Sequence, residues 1–318
     1  MVRHFLARLI GILAFWLVWI DLPSAAVEQA PSVAVIYPDL QDPYRSVLSS
    51  IIDGIREQSK HPIKLYPLEE DYNSAQLKEA IAHDHIATII ALGRTGLSAA
   101  QAWRGKIPIV VGALLLNPEK DGRDLSGISL AADPEMLFAR LEQLAPSVKR
   151  VYAVYSPESN DWLIQLARSA AGRHNLQFIA HKSEDIKSSA LIYRDILDKS
   201  RPREDAIWLL PDPVAVDDKV VLPLLLKGAW DDSVVIFSSN PAYVKRGTLF
   251  ALFPDNESMG KSLAKMAETY TIDGRDENIG IVPLRDMQAA INVRTAEHIG
   301  LFVSDEQRRD FALVFPTP

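Results

Sequence analysis

The stretch from Ala87 to Ala131 reads ATIIALG, RTGLSAAQAWRG, KIPIVVGALL, LNPEKDGRDL and SGISLA, and it decides the fold. Two apolar, β-branched runs, Ala87 to Leu92 and Ile107 to Leu114, flank a segment of helical composition. Runs of this kind, bounded by Gly and Pro, suit strands buried on both faces of a parallel sheet. The segment between them is long enough for a crossover helix, whose right-handed connection makes the two strands parallel neighbours. Gly93-Arg94-Thr95-Gly96 then falls where a strand ends and a helix begins. In open α/β sheets ligands collect at that edge, because strand ends leave a crevice and helix amides point into it.

The composition narrows the class. With 318 residues, 48% of them hydrophobic, the chain can bury a large core, and its length favours two domains. Lys and Arg number 34 against 41 Asp and Glu, a net charge of −7, and no basic cluster stands out. This argues against a nucleic-acid partner. There is no Cys, which excludes disulfides, thiolate metal sites, a Cys nucleophile and a lipid-modified Cys. The seven His are scattered, so no metal and no cofactor are expected. His83 and His85 flank Asp84, but side chains two apart do not share a helix face, and the cluster reads as surface.

The first residues read as an export signal. Arg3 and Arg8 precede the uncharged run Leu9 to Ile20, and small residues lead to a cleavage position after Ala26. The run of 12 apolar residues is short for a membrane span, which needs about 20. Residues 1–26 are therefore expected to be removed, leaving an exported, soluble chain.

Beyond Glu28 strands and helices alternate. Ser32 to Tyr37 is a strand, and Pro43 to Glu57 a helix placing Val47, Leu48, Ile51, Ile52 and Ile55 inward. Ile63 to Leu68 is the next strand, and Ser74 can cap a helix carrying Leu77, Ala80 and Ile81. With the central βαβ unit this gives a first lobe of four strands and three helices. Asp133 and Pro134 start a helix burying Met136, Leu137, Leu141 and Leu144. From Arg150 the same grammar returns. Val151 to Tyr155, Leu176 to Ala180, Ala206 to Leu210, Ser233 to Phe237 and Thr248 to Phe253 are strands. Between them, helices span Asn160 to Arg173, with Leu163, Leu166, Ala167 and Ala170 inward, then Ala190 to Asp198 and Val220 to Trp230. Two such series predict an α/β protein of two doubly wound α/β/α lobes with parallel sheets.

The order of these segments resembles the ABC-transporter substrate-binding family that includes tryptophan- and tyrosine-binding members. The matching pieces are IIALG before a helix, IPIVVGALLLNP, LSGIS before a capped helix, LAPSVKRVYAVYSPESN, DAIWLLPD, VVIFSSN, the helix around Gly260, and INVRTAEHIGL. They extend over roughly Ser32 to Val303. The family typically has Thr and Ala or Ser where this chain has Gly93-Arg94-Thr95, and often Asp-Pro where it has Asn117-Pro118. The resemblance implies a type I periplasmic-binding-protein fold, closing by a hinge on a small molecule. Its crossings fall near Ser126 to Ala131, Pro254-Asp255 and Arg285 to Ala290. The expected N-terminal lobe is then residues 27–129 plus 255–284, and the C-terminal lobe residues 130–254 plus 285–318.

The candidate ligand-binding residues are Tyr37, Asp39, Gly93, Arg94 and Thr95 in the first lobe, and Tyr155, Ser156, Asn160 and Asp212 in the second. Thr95 offers a hydroxyl and, with Gly93 and Gly96, amides at a helix start, which suits a carboxylate. Arg94 either pairs with that carboxylate or lies in solvent. Asp39 either meets a ligand ammonium or serves a turn. Ser156, Ser159 and Asn160 supply acceptors and a cap. Asp212 fits the family's acidic residue after a strand; between two prolines it is rigidly presented at a strand end, where it either meets a ligand ammonium or serves a helix or turn. Trp162 is the aromatic candidate for the cleft wall, whereas Trp208 reads as core.

Three functions fit. One is an exported solute-binding protein passing a small molecule, such as an amino acid, to an ABC permease in the inner membrane from the periplasm. Another is a ligand sensor signalling to a membrane receptor. The third, an α/β hydrolytic enzyme, is disfavoured because no nucleophile elbow, P-loop or H-E-x-x-H occurs, so no catalytic residue is assigned.

Overall fold

The computed structural model describes residues 31–122, 125–273 and 279–317; the expected export signal at 1–26 lies outside them. The chain runs β1 (Ser32–Pro38), α1 (Tyr44–Gln58), β2 (Ile63–Leu68), α2 (Ser74–His83), β3 (Ile86–Leu92), α3 (Gly93–Ala100), β4 (Ile109–Leu114) and β5 (Ser126–Ala132). It continues through α4 (Pro134–Leu144), β6 (Arg150–Tyr155), α5 (Pro157–Arg173), β7 (Gln177–Lys182), α6 (Ile186–Lys199), β8 (Asp205–Leu209), α7 (Val221–Asp231) and β9 (Val235–Ser238). Then come α8 (Pro241–Arg246), β10 (Phe250–Pro254), α9 (Asn256–Asp273), β11 (Ile281–Leu284), β12 (Met287–Asn292), α10 (Val293–His298), α11 (Asp305–Arg308) and β13 (Leu313–Phe315).

Two sheets form, in the orders β11-β5-β4-β3-β1-β2 and β13-β12-β10-β9-β8-β6-β7. The first sheet is parallel throughout. The second is parallel except where β10 meets β12 antiparallel. Each half repeats one winding, with its first strand between the second and third, as in other doubly wound sheets. Both faces of the central strands are apolar. Val33 and Val35 of β1 point to one core and Ala34 and Ile36 to the other. In β8, Ala206 and Trp208 face one core and Ile207 and Leu209 the opposite one. That is the pattern helices on both sides require.

Helix α9 follows β10 in the second sheet yet packs on the first. Its Met259, Leu263, Ala264 and Ala267 join Ile51 and Ile55 of α1 in a single core. The two backbones touch through glycines. A Cβ on Gly54 would lie 2.0 Å from the Glu257 carbonyl oxygen, and one on Gly260 2.0 Å from that of Ile51.

The chain passes between the sheets after β5, after β10 and after β11, and these passages are tied together. The Asp133 amide donates to the Leu284 carbonyl at 2.8 Å and the Asp255 amide to that of Asp286 at 3.0 Å. Asp133 also caps α4 through Glu135 N and pairs with Arg285 Nε at 3.1 Å.

The structure departs from the sequence reading in several places. β5 and β11 extend the first sheet to six strands rather than four. Asn73, not Ser74, caps α2, accepting from the Ala75 and Gln76 amides. α5 starts at Pro157 and α6 at Ile186, both earlier than expected. Val47, Met136 and Leu166 are 39%, 37% and 37% exposed rather than buried. Each directly precedes a fully or largely buried residue (Leu48, Leu137, Ala167), and neighbours on a helix point about 100° apart. The buried arcs run through Leu48, Ile51, Ile52 and Ile55, through Leu137, Phe138 and Leu141, and through Leu163, Ile164, Ala167 and Ala170, and the three exposed positions fall outside them.

Candidate ligand cleft between the two sheets

The carboxyl edge of the first sheet assembles part of the expected site. Tyr37 and Pro38 end β1, and Gly93 opens α3 with φ +67°, its α-carbon face turned to the Pro38 ring. Gly96 lets α3 settle onto β1, since a Cβ there would lie 2.4 Å from the Ile36 carbonyl oxygen. Among the described residues no side chain caps α3. Arg94 is exposed and has no ion pair among the described residues, and Thr95 is half-buried beside it. Asp39 pairs with Arg45 at 3.5 Å in solvent. Burial first, and then the Asp39 charge, raises the Tyr37 pKa, so its hydroxyl stays protonated.

In the second sheet the expected residues meet, but for a structural reason. The Tyr155 hydroxyl donates to Asp161 Oδ1 at 2.9 Å. Burial and that carboxylate push its pKa up to about 12. Asp212 Oδ2 accepts from the Ser156 amide at 2.7 Å and from Asn160 Nδ2 at 2.8 Å. Its Oδ1 accepts from the Val214 and Ala215 amides at 3.0 and 3.1 Å. A carboxylate has about four acceptor positions, and here four donors within the protein occupy them. Asp212 is 3% exposed. The expectation that it meets a ligand ammonium therefore gives way to another role: it locks two strand-to-helix turns to each other.

The space between the sheets is a cavity of about 270 Å³. Leu115, Leu116, Asn117 and Lys120 line it from the segment after β4. Glu158, Ser159, Asn160 and Trp162 of α5 line it from the other side, with Pro211 and Pro213 beside them. Among the described residues two contacts cross it. Lys120 Nζ lies 2.7 Å from Glu158 Oε1, and Asn117 Nδ2 donates to the Ser159 carbonyl at 3.4 Å. The Lys120 ammonium holds the Glu158 carboxyl below its ordinary range.

The segment after β4 is shaped by a local irregularity. Ala113 sits at φ +57°, uncommon for a residue with a side chain. The β4–β5 register shifts between Val111 and Leu114. The Ser129 hydroxyl then fastens the segment, accepting from the Leu116 amide at 3.0 Å and donating to the Leu116 carbonyl at 2.9 Å. Asp121 Oδ2 accepts from the Asn117 amide at 2.7 Å.

Of the expected residues, Asn160 lines this cavity, whereas Arg94 and Thr95 do not. Trp162, marked as an aromatic wall, lines it as well, and Trp208 is fully buried. Asn117, Lys120 and Glu158 were not among the candidates; only the Asn-Pro pair at 117–118 gave a hint. Among the described residues no group of His, Asp and Glu could hold a metal ion, and no helix is long and apolar enough to cross a membrane.

Residues 33–309 match the ABC transporter substrate binding protein family. The chain belongs to that family. Its architecture is the type I periplasmic-binding-protein fold, shared with solved structures at low identity. A conserved domain protein from Vibrio cholerae is 17% identical over 90% of this chain and 99% of its own, with a TM-score of 0.51. An ABC domain from Streptococcus pneumonia in complex with L-Trp is 16% identical over 90% and 100%, with a TM-score of 0.50. A ligand-free, open substrate-binding protein with adhesive properties from Clostridium difficile is 13% identical over 90% and 99%, with a TM-score of 0.61. Identities this low speak for the fold alone. No curated protein matches the sequence.

Proposed function

We propose that this substrate-binding protein is exported, works in the periplasm after losing residues 1–26, and carries a small molecule to an ABC permease in the inner membrane. The observation that carries this reading is the cavity of about 270 Å³ between the sheets, lined from both sides and bridged by Lys120 and Glu158. A ligand in it touches both lobes at once. Contacts made to both lobes are available only when they are together, so the ligand shifts the population toward closure. The lobes are residues 27–129 plus 255–284 and residues 130–254 plus 285–318, and the three tied passages between the sheets are the hinge.

The ligand is an amino acid or a related compound. Lys120 and Glu158 offer one charge of each sign, and Trp162 with Leu115 and Leu116 offers an apolar wall. The L-Trp in the Streptococcus pneumonia structure supports this class. Arg94, Thr95, Tyr37 and Asp39, at the carboxyl edge of the first sheet and outside this cavity, are proposed as further ligand contacts. The role is binding rather than catalysis.

The test is to release the bound molecule from purified protein by denaturation, identify it by mass spectrometry and titrate it calorimetrically. Lys120→Ala should weaken binding about tenfold or more, as loss of a charge-assisted hydrogen bond does. Undiminished affinity in Lys120→Ala and Glu158→Gln together would move the site elsewhere.

A further inference from the structure

A second cavity, of about 550 Å³, lies in the C-terminal half of the chain and shares no lining residue with the cleft. Strand direction puts it at the opposite pole. β12 runs antiparallel to β10, pairing Met287 with Pro254 and Ile291 with Phe250. The end of β12 at Asn292 is thus beside the start of β10, while the cleft faces the end of the parallel strands. Leu226 and Trp230 of α7, Lys245 of α8, Arg294 of α10, and Phe315 and Pro316 of the final strand surround the space.

Its charge runs against that of the chain. Lys227, Lys245, Arg246 and Arg294 line it with Asp231 as the one carboxylate among the described residues, in a protein of net charge −7. Two of these cations are committed: Lys227 to Asp231 at 2.7 Å, and Arg246 to Asp218 at 3.3 Å. Lys245 and Arg294 have no carboxylate partner among the described residues. Exposed cations alone would be a solvated surface, but here they edge a concavity with an apolar wall. Trp230 is 38% exposed, its ring stacked on His298 at 3.6 Å between centroids, with the Arg294 guanidinium 5.9 Å from it. The floor is fixed. Asn292 Nδ2 donates to the Val244 carbonyl at 2.9 Å and the Thr295 hydroxyl to that of Gly247 at 3.0 Å.

We infer that this pole is a second binding site, separate from the cleft, for a small aromatic anion bearing a phosphate or carboxylate. The Arg294 fork and the Lys245 ammonium take the anionic group. Trp230, Phe315 and Leu226 take the ring, in a volume within the range of small-molecule pockets.

Calorimetric titration with phenyl phosphate tests this on the full chain, with inorganic phosphate and phenol as its two halves. Binding should saturate, exceed that of either half, and weaken with added salt. Lys245→Ala and Arg294→Ala should each lower affinity by roughly tenfold, while Lys120→Ala in the cleft leaves it unchanged. Both substituted side chains are exposed, and melting curves confirm that the variants fold. No saturable binding, affinity unmoved by the two polar-site substitutions, or affinity lost with Lys120→Ala would each overturn the site.

Discussion

Asn160 and Asp212 are joined by a 2.8 Å hydrogen bond from the side-chain amide to Oδ2, and the same oxygen accepts from the Ser156 amide. The turn after β6 is thereby bolted to the turn after β8, and the α5 wall of the cleft takes its position from that bolt. Asp212→Ala strips four donors of their acceptor at a buried position. Each such loss costs about 1–3 kcal/mol, so a stability loss of at least about 2 kcal/mol is expected even after water enters. A denaturant midpoint that falls at unchanged slope is the sign. An unshifted midpoint would mean that the carboxylate holds nothing.

The α1–α9 contact makes an opposite pair of expectations for Gly→Ala. Gly260→Ala drives a methyl group into the Ile51 carbonyl, and overpacking of this kind costs about 1–3 kcal/mol or more. Gly172, in α5, has nothing within 4 Å of its Cβ position. Gly172→Ala should therefore stabilise, by about 0.5–1 kcal/mol. Thermal melts of the two variants side by side check both signs; stabilisation by Gly260→Ala would disprove the close approach.

Asp133 serves two parts at once, as the cap of α4 and as the partner of Arg285 across the sheet passages. Asp133→Ala should cost about 0.5–2 kcal/mol for the cap. Arg285→Ala should cost less than about 1 kcal/mol, since the Arg285 end of the pair is open to water and screened by it. Equal losses in the two variants would show that the ion pair, not the cap, is what matters.

His174 couples α4 to α5, with Nε2 2.9 Å from Glu135 and Nδ1 2.8 Å from Glu142. Burial alone would lower its pKa, but the two carboxylates outweigh burial and raise it above the ordinary 6.5. The group binds its proton more tightly when folded. Its contribution is complete below the unfolded value and is lost as pH rises through the raised folded one. The stability difference between the native chain and His174→Gln should therefore shrink as pH goes from 6 towards 8, a range set by the ordinary imidazole value of about 6.5. A difference that is constant with pH would contradict the pairing.

How far the fold was legible depends on where its signal lies. The parallel strands are short runs such as Val33 to Ile36 and Ile89 to Leu92, apolar on both faces. β11 and β12 were harder, because IVPL and MQAAIN carry a Pro or mixed polarity and gain their place from the sheets they join. The cleft was legible only in part. The strand-end rule marks Gly93, Ser156 and Asp212, but it cannot say whether a carboxylate turns outward to a ligand or inward to four amides. Lys120 and Glu158 are 38 positions apart. Each reads as ordinary surface charge, and only the approach of the two sheets makes them a pair.

The most direct measurement is small-angle scattering of the protein with and without its saturating released ligand, in the native chain and in Lys120→Ala. The native radius of gyration is expected to fall on ligand addition, and Lys120→Ala to need about tenfold more ligand for the same fall. A native radius that stays unchanged while calorimetry shows the ligand bound would contradict closure of the two lobes over the cleft.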